Sequence, residues 1–367
     1  MNRRDFLSGA ATVGLALKLA PFSFAAEDPK FSAEIGDLYR RSLVIDALAG
    51  ITDDDGVIPA LAIKQGIESG VTGINWTVSQ QDFDGTIAYV AHVQSLPERD
   101  PAHFLIVRRA ADLMQAKHDG KIGIVMGFQY PQPIEDLDHL EVFHQLGVRV
   151  MQLTYNNRSL LGDGCLEPGN AGLSKLGKAA VAKMNELGIA VDLSHSGQRT
   201  TAEGIEASTK PVLITHSGCN AVFQHPRNKD DKEMRAMADR GGVMGIYFMP
   251  YLVASPASPA REHVLNHLDH ALKVCGSDHV GIGSDGLIDT FPDTPEQRKA
   301  FADDAARRKA AGIAAPGEDR PPFSPDLNTP HRMEIIASGL SKLGYSGDVI
   351  EKVLGKNFYR AFGEIWG

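Results

Sequence analysis

Eight short, continuous apolar runs recur along this chain, each followed by an amphipathic stretch, and that rhythm constrains the fold more than any other feature. The runs are Leu43–Leu48, Val71–Val78, Ile122–Gln129, Arg149–Tyr155, Ala190–His195, Pro211–Ser217, Gly241–Phe248 and His279–Asp285. Most are unbroken Val/Ile/Leu/Met stretches, the pattern of strands covered on both faces. Between them lie helical patterns. In Ser174–Leu187 (SKLGKAAVAKMNEL), Leu176, Ala180, Met184 and Leu187 repeat at spacings of three and four. Glu135–Leu146, Asp230–Arg240 and Glu262–Val274 have the same character. Eight buried strands alternating with helices predict an α/β fold, a single-domain (β/α)8 barrel of the TIM type. A doubly wound open sheet would place a Gly-rich phosphate turn after its first strand, and none follows Leu43–Leu48. The segment Asp289–Pro330, rich in Pro, Asp and Arg, breaks the rhythm and reads as a long excursion, a lid or a packing arm. Two helices, His331–Lys342 and Gly347–Phe362, are expected to close the chain.

The first 25 residues stand apart. Arg3-Arg4-Asp5-Phe6-Leu7 fits a twin-arginine signal, with a modestly apolar stretch from Gly9 to Phe24 and small residues at Ser23 and Ala25 before the expected cleavage point. The chain therefore divides into a signal peptide, 1–25, and a barrel domain, 26–367. The partner implied for the first is the twin-arginine export machinery, and the destination is the periplasm. After Phe24 no apolar run reaches bilayer length, so the mature form is not expected to insert into a membrane. The net charge of −9 falls to about −11 without the signal, which argues against nucleic acid as a partner. Three cysteines, Cys165, Cys219 and Cys275, leave room for one disulfide without saying which two would pair. None lies in a CxxC pair, so a thiolate zinc site is not expected.

In such a barrel the C-terminal ends of the strands line the active site. Those ends carry Asp46 and Leu48, Gln129, Tyr155, His195, His216, Tyr247 and Asp285. His195 in DLSH and His216 in ITHS end consecutive strands, which lie about 4.8 Å apart, so their side chains can converge. Imidazole suits zinc and similar divalent ions. Asp285, among the small residues of GIGSDG, is placed to move a proton. Either histidine alone would more often be a structural residue; two of them with an aspartate on the eighth strand favour a site. His267 and His270, on one helical pattern, read as packing or surface residues, as do His139 and His144. Asp53-Asp54-Asp55-Gly56 lacks the rest of a calcium loop and reads as a solvated turn capping the next helix.

Three blocks, Leu153–Gly197, Thr215–Asp231 and Leu268–Gly286, resemble in order and spacing the membrane (renal-type) dipeptidase family, zinc peptidases on a (β/α)8 barrel. The resemblance implies that His195 and His216 hold zinc, that Arg227 in HPRNKDD receives a substrate carboxylate, and that Asp285 is the eighth-strand acid. It also implies departures. The first-strand His-x-Asp is replaced by Leu48 and Gly50, Gln129 stands for the glutamate that bridges two ions, and Tyr155 stands for a substrate-contacting histidine. Asp46 and Asp53 are the nearest acids that a shift of that alignment would bring in. A neutral amide brings no charge to offset two dications, so the family's two-ion centre is not expected.

The leading expectation is a one-metal hydrolase of a dipeptide or small amide with a free carboxylate. Gln129 would be a weak further ligand and Tyr155 an oxyanion donor. The alternative is an inactive barrel that binds a small peptide or amino-acid derivative. Lactonase or deaminase chemistry ranks last, because no His-x-His follows the first strand. A homodimer is compatible with the resemblance.

Overall fold

The eight apolar runs become the staves of one parallel barrel in the computed structural model, which describes residues 31–367 except Asp55 and Asp293. The twin-arginine segment lies outside the described residues. In chain order the strands are β1 (Ile45–Asp46), β2 (Ala49–Gly50), β3 (Gly73–Thr77), β4 (Phe104–Ile106), β5 (Ile122–Phe128), β6 (Val148–Gln152), β7 (Ala190–Asp192), β8 (Leu213–Ser217), β9 (Val243–Ile246), β10 (Val280–Ile282) and β11 (Gly286–Leu287). They pair in parallel in the order β1-β3-β5-β6-β7-β8-β9-β10. Closure comes from Ala47 N donating to the Ile282 carbonyl at 2.9 Å, continued above by the short β2–β11 ladder. The architecture is a (β/α)8 barrel.

Burial on both faces explains the unbroken apolar runs. One set of strand residues, including Ile45, Val125, Val150, Ala190, Leu213 and Val243, clusters with Phe358, Phe362 and Ile365 of the last helix. The other set packs against the surrounding helices. These helices carry the expected signals: Ser174 caps Lys175–Leu187 by accepting from Gly177 N at 2.9 Å. Gly188, in the left-handed region, ends it.

Two buried carboxylates sew neighbouring strands together. Asp46 accepts from the backbone N of Ser284 at 2.7 Å and from its hydroxyl, joining β1 to the turn after β10. Asp192 likewise accepts from the backbone N of Thr215 at 3.0 Å and its hydroxyl at 2.6 Å, joining β7 to β8. Each fills the unmade bonds of a strand end that a shorter side chain would leave unpaired.

The structure departs from the sequence reading in four places. A ninth strand, β4, wedges beside the first half of β5, while β6 takes the second half after an irregularity at Met126/Gly127. The excursion contains a 16-residue helix, Pro295–Ala310, in which only Ala305 is buried. It lacks an apolar stripe, so no periodicity announced it. The Asp53 turn does not cap the next helix, and although Asp54 is exposed, the Asp53 carboxylate is turned away from water. Asp53 accepts from Gly56 N at 2.8 Å and meets His92 Nε2 at 2.9 Å, while Ala60–Glu68 starts at Pro59 without a side-chain cap. The sequence left a disulfide open, and all three cysteines are free thiols; the fourth departure lies at the chain's close. The closing helices are Arg332–Lys342 and a broken second one, Gly347–Glu351 and Asn357–Trp366. Among the described residues no helix is long and apolar enough to cross a membrane.

Candidate active site

The loop ends of β5 to β10 bring His195, His216, Gln129, Tyr155 and Asp285 together at one mouth of the barrel. His195 and His216 are both buried, and their Nε2 atoms lie 3.0 Å apart. Behind His216 the chain needs glycine: a Cβ on Gly283 would stand 1.9 Å from the Thr215 carbonyl and 3.4 Å from His216 Cβ.

The hydrogen bonds behind the rings fix their tautomers. Asn156 Nδ2 donates to the Ile313 carbonyl at 2.8 Å, so its Oδ1 must face His195 Nδ1, also at 2.8 Å. An amide oxygen only accepts, hence His195 carries its hydrogen on Nδ1. Thr215 gives its hydroxyl hydrogen to Asp192, so it accepts from His216 Nδ1 at 2.8 Å. Both Nε2 atoms are therefore acceptors without a hydrogen of their own, 3.0 Å apart, with the Gln129 amide reaching His216 Nε2 at 3.5 Å. Burial, and then the nearby Arg227 guanidinium, hold both imidazoles well below their ordinary range and unprotonated.

Asp285 occupies the turn after β10 in the left-handed region, at φ 60°. Its backbone N donates to the Leu48 carbonyl at 2.8 Å. Gln129 Nε2 donates to its Oδ1 at 3.3 Å and lies 3.5 Å from His216 Nε2. As placed, Gln129 presents its NH2, not its carbonyl oxygen, to the imidazole pair. Burial raises the Asp285 carboxyl to about 7 against the opposing pull of Arg227.

Tyr155 stacks on His195 with ring centres 4.2 Å apart, and Tyr130 packs against Tyr155 at a tilt, with centres 4.4 Å apart. Arg308, from the excursion helix, donates to the Tyr155 hydroxyl at 3.2 Å and pairs with Glu318 at 2.7 Å. Burial keeps the Tyr155 phenol protonated. Arg227 is 1% exposed; Nη1 donates to the Ser194 carbonyl at 2.8 Å and Nη2 has no partner. Its guanidinium carbon stands 5.8 Å from the centre of the Tyr247 ring.

The first-strand positions do other work. The Leu48 side chain is buried, and the Gly50 carbonyl accepts from Ile288 N at 2.8 Å. Neither Asp46, tied to Ser284, nor Asp53, tied to His92, faces the imidazoles. His267 is buried and accepts from Cys219 N, and His270 pairs with Asp231 on the helix surface. Sequence reasoning missed Asn156, Thr215, Arg308 and Glu318. The first two adjoin Tyr155 and His216 and were in view; nothing in the sequence points to the last two.

Comparison with known proteins now places the chain. Residues 55–303, more than half of it, match the family model described as membrane dipeptidase, Peptidase family M19. This chain belongs to the membrane dipeptidase family. Within the family, a protein named dipeptidase verJ from Clonostachys rogersoniana is 31% identical over 211 residues, 56% of this chain and 53% of that one. The chain spans about half the length of the curated relatives it matches. Among solved structures, an amidohydrolase from Pseudomonas aeruginosa is 30% identical with a TM-score of 0.78, covering 91% of this chain and 99% of that one. A metallo peptidase from Rhodobacter sphaeroides, liganded with a phosphinate mimic of the dipeptide L-Ala-D-Ala, shares the fold at 19% identity. Its TM-score is 0.71, over 89% of this chain and 100% of that one. Membrane dipeptidase family membership implies a divalent metal, and the fit of these residues can be tested. Two imidazole nitrogens on one tetrahedral zinc lie about 3.3 Å apart, close to the 3.0 Å found here. The imidazole pair thus offers two nitrogen ligands at a spacing that one ion can bridge, while Leu48, Gly50 and Gln129 supply no charged ligand, and among the described residues no three His, Cys, Asp or Glu side chains gather into a metal-holding group.

Proposed function

We propose that this chain is a hydrolase of small amides bearing a free carboxylate, dipeptides foremost, working with one zinc or similar divalent ion held by His195 and His216. The observation that carries this reading is the pair of hydrogen-free Nε2 atoms 3.0 Å apart, met from the side only by the long Gln129 contact. Lone pairs so close repel unless a cation lies between them, and the surroundings oppose a proton. Each ring also donates through Nδ1 to a fixed acceptor, the arrangement that orients metal-bound histidines.

The chemistry such an ion supplies is polarisation of a carbonyl and acidification of water. The chain's own residues do the rest. Arg227 Nη2, buried without a partner, receives the substrate carboxylate; leaving such a donor unmet costs about 1–3 kcal/mol. Asp285, held near 7, takes a proton from attacking water and returns it to the leaving amine. Arg308 donates to the Tyr155 oxygen, so the phenolic hydrogen remains available to a developing oxyanion. The proposal includes export by the twin-arginine machinery to the periplasm, supported by Arg3-Arg4 and the stretch behind them. It also includes action on a small-molecule substrate without a nucleic-acid partner.

The test is metal analysis of protein purified from zinc-supplemented cells, beside turnover of a dipeptide panel. About one ion per chain and hydrolysis of substrates with a free C-terminus are expected. Metal-free protein under those conditions would overturn the reading.

A further inference from the structure

The excursion after β10 does more than cover the barrel mouth. Its contacts fall on residues that flank the imidazole pair. Asn156 and Asn157 donate to the Ile313 and Gly312 carbonyls at 2.8 and 3.0 Å. His225 Nε2 donates to the Pro316 carbonyl at 2.8 Å, and the Tyr251 hydroxyl donates to Glu318 at 3.0 Å. Arg308 joins Glu318 to Tyr155. Residues 311–320 form a strap pinned to the loops after β6, β8 and β9.

One of these pins reaches the metal ligands. Asn156 is fully buried, sits in the left-handed region at φ 52°, and has only two ways to face its amide. With the strap seated, the Ile313 carbonyl demands the NH2, and the oxygen is left for His195 Nδ1. With the strap lifted, only the long Cys165 Sγ contact to Oδ1, at 3.6 Å, still favours that orientation. The amide can then turn its NH2 to Nδ1, which draws the ring hydrogen to Nε2 and removes the lone pair that would ligate. We infer that Asn156 is a positioning residue through which strap seating selects the ligating tautomer of His195, so that metal binding and strap closure are one coupled equilibrium. The inference rests on the proposed metal role of His195 and His216. Coupling of this kind is reciprocal: the factor by which the seated strap tightens metal binding is the factor by which metal tightens the strap.

The test uses the full chain stripped of metal, with zinc itself as the probe. Zinc affinity is measured by competition with a chelating indicator in the parent, in Asn156→Leu, in Asn156→Asp and in the latch variant Arg308→Ala/Glu318→Ala. Loss of an outer partner of a ligating histidine weakens binding by about 10–100-fold. A loss of that size is expected for Asn156→Leu. The latch variant, which alters no ligand, should also lose about tenfold. Asn156→Asp keeps an acceptor toward Nδ1 and should recover most of the affinity, which a merely structural role for Asn156 does not predict. Zinc should also slow amide hydrogen exchange across 311–320 in the parent. If zinc binds the parent but the latch variant binds equally well, or exchange in the strap ignores zinc, the coupling is refuted while the metal reading survives. If the parent takes up no zinc, both fall.

Discussion

Replacing Asp285 by Asn should leave the protein inactive and yet more stable. Burial raises this carboxyl from its ordinary 3.8 to about 7, so the ionised form is held in the fold at a cost. The sign follows from proton counts: between pH 4 and 7 the folded state keeps a proton that the unfolded chain has released, so stability falls as pH rises through that window. The full rise corresponds to about 4 kcal/mol at pH 8. Asp285 keeps some contact with solvent, so about half of that ceiling is expected to appear. Asparagine has the same shape, accepts from Gln129 through its oxygen, and tolerates the left-handed backbone at φ 60° at least as well. The assay is urea unfolding of the metal-free proteins at pH 4 and pH 8. The variant's midpoint should exceed the parent's at pH 8 and converge with it at pH 4. Equal midpoints at pH 8, or an identical gain at both pH values, would refute the account of a strained charge.

Further outcomes follow from the same geometry. Arg227→Met should raise KM for a free dipeptide about 10–100-fold, since a charge-assisted hydrogen bond contributes about 1.5–3 kcal/mol, and leave a C-terminally amidated analogue unaffected; equal losses on both substrates would place Arg227 elsewhere in the reaction. His195→Ala and His216→Ala should each purify folded with little bound metal, and a variant retaining a full equivalent of zinc would remove that histidine from the ligand set. Asp192→Ala strips the acceptors from Thr215 N and Ser194 N between β7 and β8 and should cost about 3 kcal/mol or more in urea unfolding; a change below about 1 kcal/mol would show that water replaces the carboxylate.

The barrel was legible because its strands are buried on both sides. All eight runs hold a strand, with ends displaced by a few residues. What escaped lacked that signature: β4 has only three residues, with Leu105 and Ile106 half-buried, and the Pro295–Ala310 helix has no apolar face. The convergence of His195, His216 and Asp285 was legible from strand ends alone. Their tautomers were not, since these depend on Asn156 and on a carbonyl 157 residues further along. Arg308 reaches Tyr155 across 153 residues, a contact no local pattern encodes. Within the Asp53 run only Asp53 itself misled, because His92, an unseen partner, takes its carboxylate away from water.

Asp285 is mounted where the chain's first and last staves meet: its backbone N rests on Leu48, and the preceding serine is gripped by Asp46. Asp285 therefore acquires its place only once the final strand has docked on the first. On the proposed reading, a nascent or truncated chain holding both histidines but lacking that joint would be chemically silent.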